Sequence, residues 1–286
     1  MAVENNVVQK MDNIQDTFLR IQDVFFQSPD WRANIKDLHD SNQEFRSIAY
    51  ESASMSIALL DLKEGNQLRN WLKFLNEVAH AHATQVHVGL GWALAQSLTP
   101  PMDYLPLLEP MQRYRVLDGY GYYEGIFRRR RSITNHLKLE LPDATASGAL
   151  DQGIGRSLWY NSKGDITAAK TTLETFATER HADLWRGLGI AIAYVGGCNE
   201  EMLHNIFTRA GTYQKQLATG AVMALISRHY AGYISPDTEL SCKVWCGKNK
   251  EELVEMNEEM RAQKSNNEDS AYGNWLLKLE TAFQLS

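Results

Sequence analysis

Two carboxylates, Asp118 and Glu124, flank three tyrosines in the run Asp118-Gly119-Tyr120-Gly121-Tyr122-Tyr123-Glu124-Gly125. Carboxyl groups among aromatic and apolar neighbours are costly unless paired or solvated. A buried one holds its proton to higher pH, which suits general acid–base work. Glu124 and Asp118 are therefore the expected catalytic acid or base, with Tyr120 and Tyr123 against a substrate. The competing reading pairs Glu124 with Arg128, one helical turn on. Arg156, Trp159 and Trp185 sit at matching edges of neighbouring segments and are expected to line a groove for the same substrate. Asp183 and Arg186, near the same edge, are expected to form structural ion pairs.

Other chemistry is missing its partners. His80, His82 and His87 are not spaced for one helical face throughout, and no HExxH pattern or carboxylate triad completes a metal site. Cys242 and Cys246 lack a second ligand pair and are expected to be buried thiols beside Trp245. After Gly119-x-Gly121 the next glycine, Gly125, falls one residue too late for a dinucleotide fingerprint, and no strand precedes it. Ser157 lacks the second glycine of a nucleophile elbow. There is no phosphate-loop lysine and no aspartate-rich terpene-cyclase motif. No metal and no cofactor is expected. The run Arg128 to Arg131 suits a helix C-terminus, or a contact with phosphate or an acidic carrier protein.

The elements that would position these residues are marked by glycines. Gly89-x-Gly91, Gly119-x-Gly121, Gly153-x-Gly155 and Gly187-x-Gly189 recur 30, 34 and 34 residues apart, and a partial copy follows 33 further on at Gly220. Each opens a stretch of small and apolar residues that reads as a buried helix. Segments between them are amphipathic: residues 166–178 with Asp165 as N-cap, and residues 200–210 with Asn199 as N-cap and Gly196-Gly197 before it. A glycine inside a helix costs about 1 kcal/mol against alanine, so paired glycines call for close backbone approach between stacked helices. The expected fold is all-α, with helix pairs of period about 34 stacked as an α-solenoid or α/α bundle. Residues 1–80 would form an N-terminal helical cap, 81–235 the repeats and 236–286 the closing helices, in one continuous domain. Residues 263–270 read as a mobile loop.

Composition sets the outer bounds. The chain has 286 residues, 44% hydrophobic, enough for a real core. A net charge of -6 disfavours nucleic acid as a partner. No apolar run approaches the ~20 residues of a membrane span. Three cysteines suggest no disulfide framework, and no signal pattern opens the chain, so a cytoplasmic location is expected.

The stretch from Asp151 to Gly232 carries Gly153-Ile154-Gly155-Arg156-Ser157-Leu158-Trp159-Tyr160, Asp183-Leu184-Trp185-Arg186-Gly187-Leu188-Gly189 and Ala193-Tyr194-Val195-Gly196-Gly197. With the earlier Asp118 to Gly125 run, it resembles the domain of unknown function labelled "enediyne biosynthesis protein". The resemblance covers roughly residues 85–245 and brings no catalytic residues with it. Members of that family sit beside polyketide synthase genes in bacterial specialised-metabolite clusters and in other bacteria too, so the resemblance implies a bacterial biosynthetic protein, not one that acts on an enediyne. The function expected on this footing is a cofactor-independent cyclase or isomerase acting on an apolar polyene or isoprenoid in an aromatic-lined cavity. The alternative is a non-catalytic scaffold or carrier for an apolar small-molecule intermediate, a polyketide synthase or a carrier protein.

Overall fold

Two residues along an α-helix turn the side chain by about 200°. A Gly-x-Gly pair therefore opens opposite faces of one helix, and the fold uses both. The computed structural model describes residues 2–28, 30–65, 67–262 and 271–283. They form α1 (Ala2–Gln27), α2 (Ile35–His39), α3 (Arg46–Glu64), α4 (Arg69–Phe74), α5 (Ala83–Gln96), α6 (Arg113–Phe127) and α7 (Ala144–Asn161). The second half holds α8 (Ile166–Leu173), α9 (His181–Val195), α10 (Glu200–Ala210), α11 (Gln214–Tyr230), α12 (Pro236–Cys246), α13 (Lys250–Ala262) and α14 (Ala271–Thr281). No strand occurs among the described residues, and no helix there is long and apolar enough to cross a membrane.

Helices α3, α5, α6, α7, α9 and α11 are buried on nearly every face and pack in chain order. In each Gly-x-Gly pair the first glycine lies against a backbone carbonyl of the preceding inner helix and the second against one of the following helix. On α6, Gly119 faces the carbonyl of Val88 and Gly121 that of Leu150; on α7, Gly153 faces Asp118 and Gly155 faces Leu184. Contacts are reciprocal: Gly187 of α9 lies on Gln152 of α7, and Gly189 and Gly220 join α9 to α11 through Leu217 and Arg186. A Cβ at any of these positions would overlap the facing carbonyl. The spacing of two is thus the spacing that lets one helix touch two neighbours closely.

The same device extends one helix earlier in a different residue type. On α3 the pair is Ser52 and Ser54: Ser52 Oγ donates to the carbonyl of Phe18 on α1 at 2.6 Å, and Ser54 Oγ to that of Val86 on α5 at 2.5 Å. α3, within residues 1–80, is a full member of the inner array. The array curls back on itself. Ser227 of α11 donates to Gln85 Oε1 of α5 at 2.6 Å, and Arg228 reaches the carbonyls of Tyr194 at 2.8 Å and Glu44 at 3.0 Å. α1 lies along this curl and packs on α3 and α9.

Helix pairs as expected from the sequence appear in the second half, where α8, α10 and α12 alternate with inner helices. Between α5, α6 and α7 short 3-10 and π turns stand in their place. Asp165 caps α8 through the amides of Thr167 at 2.7 Å and Ala168 at 3.3 Å, and Asn199 caps α10 through Met202 at 2.9 Å. α8 ends at Leu173 rather than near residue 178, where the chain turns to bury Phe176 under the Arg180 guanidinium. The loop expected at 263–270 lies outside the described residues.

Substituting Gly155→Leu or Gly189→Leu should lower unfolding free energy by about 3 kcal/mol or more, since overpacking against backbone cannot be relieved by a rotamer change. Even Gly155→Ala should destabilise, because the clash begins at Cβ. Urea unfolding reads this directly; an unchanged midpoint would mean that α7 and α9 do not approach at this glycine.

Candidate functional site

Curling an array of buried helices leaves an axis that side chains must fill. Near one end it is not filled. A cavity of about 670 Å³ lies between α1 and the inner helices α3, α5, α6, α7 and α9. Its wall is aromatic: Phe18 of α1 and Trp92 of α5 lie 5.0 Å apart, Trp92 lies 5.0 Å from Tyr122 and 5.7 Å from Tyr123 of α6, and Tyr122 lies 5.7 Å from Tyr160 of α7. Its mouth is marked by exposed lining residues, among them Leu19 (45% exposed), Phe127 (61%), Gln96 and Lys163.

The deep end is polar. Glu51 of α3, only 2% exposed, lines it together with Tyr122, Arg156, Tyr160 and Tyr194. Burial pushes the Glu51 carboxyl up to about 7; Arg156 pulls it back in part, and Asp118 adds to the rise. Glu51 Oε2 has no hydrogen-bond partner. Arg156 donates to Asp118 Oδ1 at 2.9 Å and lies 4.4 Å over the Tyr122 ring. Burial works against its charge, but Asp118, Glu51 and Tyr122 outweigh that and raise its pKa. Asp118 also accepts from Gln152 Nε2 at 2.6 Å, which fixes the carboxylate behind the guanidinium. Burial raises all three tyrosines, Tyr160 to about 12. Near neutral pH the site therefore holds protonated phenols, a charged guanidinium and a carboxyl divided between its two forms.

The residues singled out from the sequence fall on both sides of this site. Tyr123 and Arg156 line the cavity, and Asp118 sits behind Arg156. Glu124, fully buried, does not line it. Glu124 Oε1 instead receives Arg128 at 2.7 Å and Arg131 at 3.0 Å, and Arg128 continues to the carbonyls of Ala95 at 2.7 Å and Gln96 at 3.3 Å. This cluster ties the C-terminus of α6 to that of α5. Tyr120 belongs to it, beside Glu124 and Arg131. The division follows helix geometry: Asp118, Tyr122 and Ile126 share one face of α6, and Tyr120 and Glu124 the opposite one. Trp159 and Trp185 are buried in the core away from the cavity lining. Asp183 pairs with Arg186, whose Nε also approaches Glu280 at 3.4 Å.

Glu51 escaped the sequence reading. Its signal was present: it is the lone charge between Arg46 and Asp61 in an otherwise small and apolar helical run. Tyr160 and Tyr194, each inside a quoted motif, were not assigned to the site either. The histidines are separate: His82 Nδ1 meets Ser47 Oγ at 2.8 Å and His87 Nδ1 meets the Ala83 carbonyl at 2.7 Å. Burial lowers both to about 4, so they are neutral. Among the described residues no group of three or more histidine, cysteine or acidic side chains could hold a metal ion. The three cysteines form no disulfide.

Two measurements follow. Glu124→Gln and Arg128→Met should each destabilise, the latter more because it leaves the fully buried Glu124 carboxylate with only the half-exposed Arg131 as ionic partner; their effects should be coupled in a double-mutant cycle, and additivity would mean the pair contributes nothing. Glu51 behaves oppositely. Its folded-state pKa of about 7 exceeds the ordinary 4.5, so its contribution to stability is complete below pH ~4.5 and is lost as pH rises through 7. Glu51→Gln should therefore stabilise the protein by about 3 kcal/mol at pH 8 and by little at pH 4.5. Melting curves at the two pH values test this; equal effects at both would show that Glu51 ionises normally in the fold.

No curated protein and no solved structure matches the chain significantly. A family match does exist and covers residues 2–283. It takes in α1 and α3, which supply the roof and Glu51, and so runs well beyond the 85–245 stretch that carried the resemblance. The chain belongs to the family described as "Protein of unknown function (DUF1702)".

Proposed function

We propose that the protein is a cofactor-independent isomerase or cyclase that moves a proton on an apolar polyene or isoprenoid held in the cavity, within bacterial specialised metabolism. The observation that carries this reading is a carboxyl poised near 7 at the closed end of an aromatic-walled cavity of about 670 Å³. A general acid–base works best when its pKa lies near the operating pH, and such a shift in a cleft is typical of working groups. In an isomerisation the ionised Glu51 removes a proton from one carbon, and the acid so formed returns it to another. Electrons and atoms balance without any oxidant or reductant. Arg156 would stabilise negative charge that develops between the two transfers, and Asp118, with Gln152, is a positioning residue for Arg156. Phe18, Trp92 and Tyr123 would exclude water from the reacting chain.

On this reading the acid–base role first expected of Glu124 falls to Glu51, because the Glu124 carboxyl is committed to two arginines outside the cavity. The carrier reading draws on the exposed apolar mouth at Leu19 and Phe127, which would let a bound chain be handed on.

Native mass spectrometry of the purified protein should reveal a co-purifying apolar ligand. In a reconstituted pathway Glu51→Gln, which keeps size and hydrogen bonding, should cut product formation by about 10²–10⁴-fold with the ligand still bound. Full product yield from folded, ligand-bearing Glu51→Gln would discard the enzyme in favour of the carrier.

A further inference from the structure

The deep end of the cavity is richer in hydrogen-bond donors than a hydrocarbon can use. Arg156 carries five N–H donors, and its hydrogen bond to Asp118 engages one nitrogen. Tyr122, Tyr160 and Tyr194 keep their protons throughout the neutral range. Glu51 donates when protonated, and its Oε2 lacks a partner, while the Tyr194 hydroxyl lies beside Ser47. Burying such groups under a hydrocarbon removes their water and returns nothing. The opposite end differs: Trp92, Phe127 and Leu19 offer apolar surface that continues into solvent.

We infer that the ligand carries a neutral acceptor oxygen, a carbonyl, and enters carbonyl first, so that the oxygen lies among Glu51, Arg156 and the tyrosines while the hydrocarbon tail runs along the aromatic wall to the mouth. This rests on the cavity being the ligand site proposed above. Charge selects a carbonyl over a carboxylate. Arg156 is already neutralised by Asp118 of the same cluster, and Glu51 is partly ionised, so a further anion would meet net repulsion. Groups facing Glu51 from the neighbouring elements are Asp118 and Tyr122 on α6, Arg156 and Tyr160 on α7 and Tyr194 on α9, with Arg228 of α11 4.0 Å over the Tyr194 ring. Asp12 of α1 lies at the exposed edge. A carbonyl in this position would also acidify the carbon next to it, which is the proton Glu51 is placed to move.

The test is isothermal titration of the full chain with three probes of one chain length: an alkane delivered from cyclodextrin, the corresponding ketone, and the fatty carboxylate. At pH 6 the ketone should bind about tenfold more tightly than the alkane, the value of one well-made hydrogen bond, and more tightly than the carboxylate. Its affinity should fall between pH 6 and 8 as Glu51 loses its proton. Glu51→Gln, an amide donor at every pH, should flatten that dependence, and Tyr194→Phe should weaken the ketone several-fold while leaving the alkane unchanged. A ketone no tighter than the alkane, or a carboxylate that binds best, overturns the carbonyl-first reading and leaves the cavity as a ligand site. Failure of all three probes to bind, with the variants folded by circular dichroism, overturns the cavity reading together with it.

Discussion

Backbone-to-backbone approach between the inner helices is the constraint on which everything else hangs. Each inner helix from α3 to α9 presents one small residue to its predecessor and one to its successor, α11 presents Gly220 to α9, and the facing group in every case is a carbonyl oxygen. Glycine inside a helix is unfavourable by about 1 kcal/mol. Close packing offsets this, because backbones at such range gain dispersion contacts and weak Cα–H···O interactions along the whole seam. The serine pair on α3 shows that the requirement is for a small residue, met there with hydroxyls that satisfy the carbonyls they touch.

Tight seams fix the direction of the remaining side chains. With two faces of each inner helix committed to neighbours, a third points to the axis of the curl and a fourth outward. The axis collects groups that would be costly alone, and it resolves them by pairing: Asp118 with Arg156 and Gln152, and Gln85 with Ser227. α1 closes the axis from the side. Lys10 anchors it to Glu44 at 2.5 Å and Asp237 at 3.2 Å, and Arg20 to Ser41 at 2.9 Å. The cavity beneath it is therefore walled by anchored helices on every side except its mouth, the arrangement that pre-organised acid–base chemistry needs.

Two buried glutamates on this framework illustrate how partners decide roles. Glu124 accepts from two guanidinium groups, one of which, Arg128, also ties down the carbonyls ending α5. Glu51 faces an arginine that Asp118 has already engaged, and its own Oε2 is left without a partner. One carboxyl is spent on structure. The other is left with a proton to exchange and space beside it.

The sequence by itself determined the all-helical class, the inner helices with their 30- to 34-residue spacing, and the caps at Asp165 and Asn199. Those features are local, written in periodicity, glycine placement and capping residues. It also presented Arg156 and Tyr123, which line the cavity, and the Glu124–Arg128 pair. It set Tyr120 rather than Tyr122 against the substrate, because aromatic residues two apart look equivalent until a neighbour commits one face of the helix. Nor did it bring out Glu51, whose chemistry arises from Asp118, Arg156 and Tyr194 on three later helices, 67 to 143 residues away. Whether the repeats run open or curl closed was likewise a tertiary matter, since it depends on α11 meeting α5 through Ser227 and Gln85 and on α1 roofing the gap. A carboxyl's working pKa is set by its dielectric and its charged neighbours, and only the folded chain supplies either.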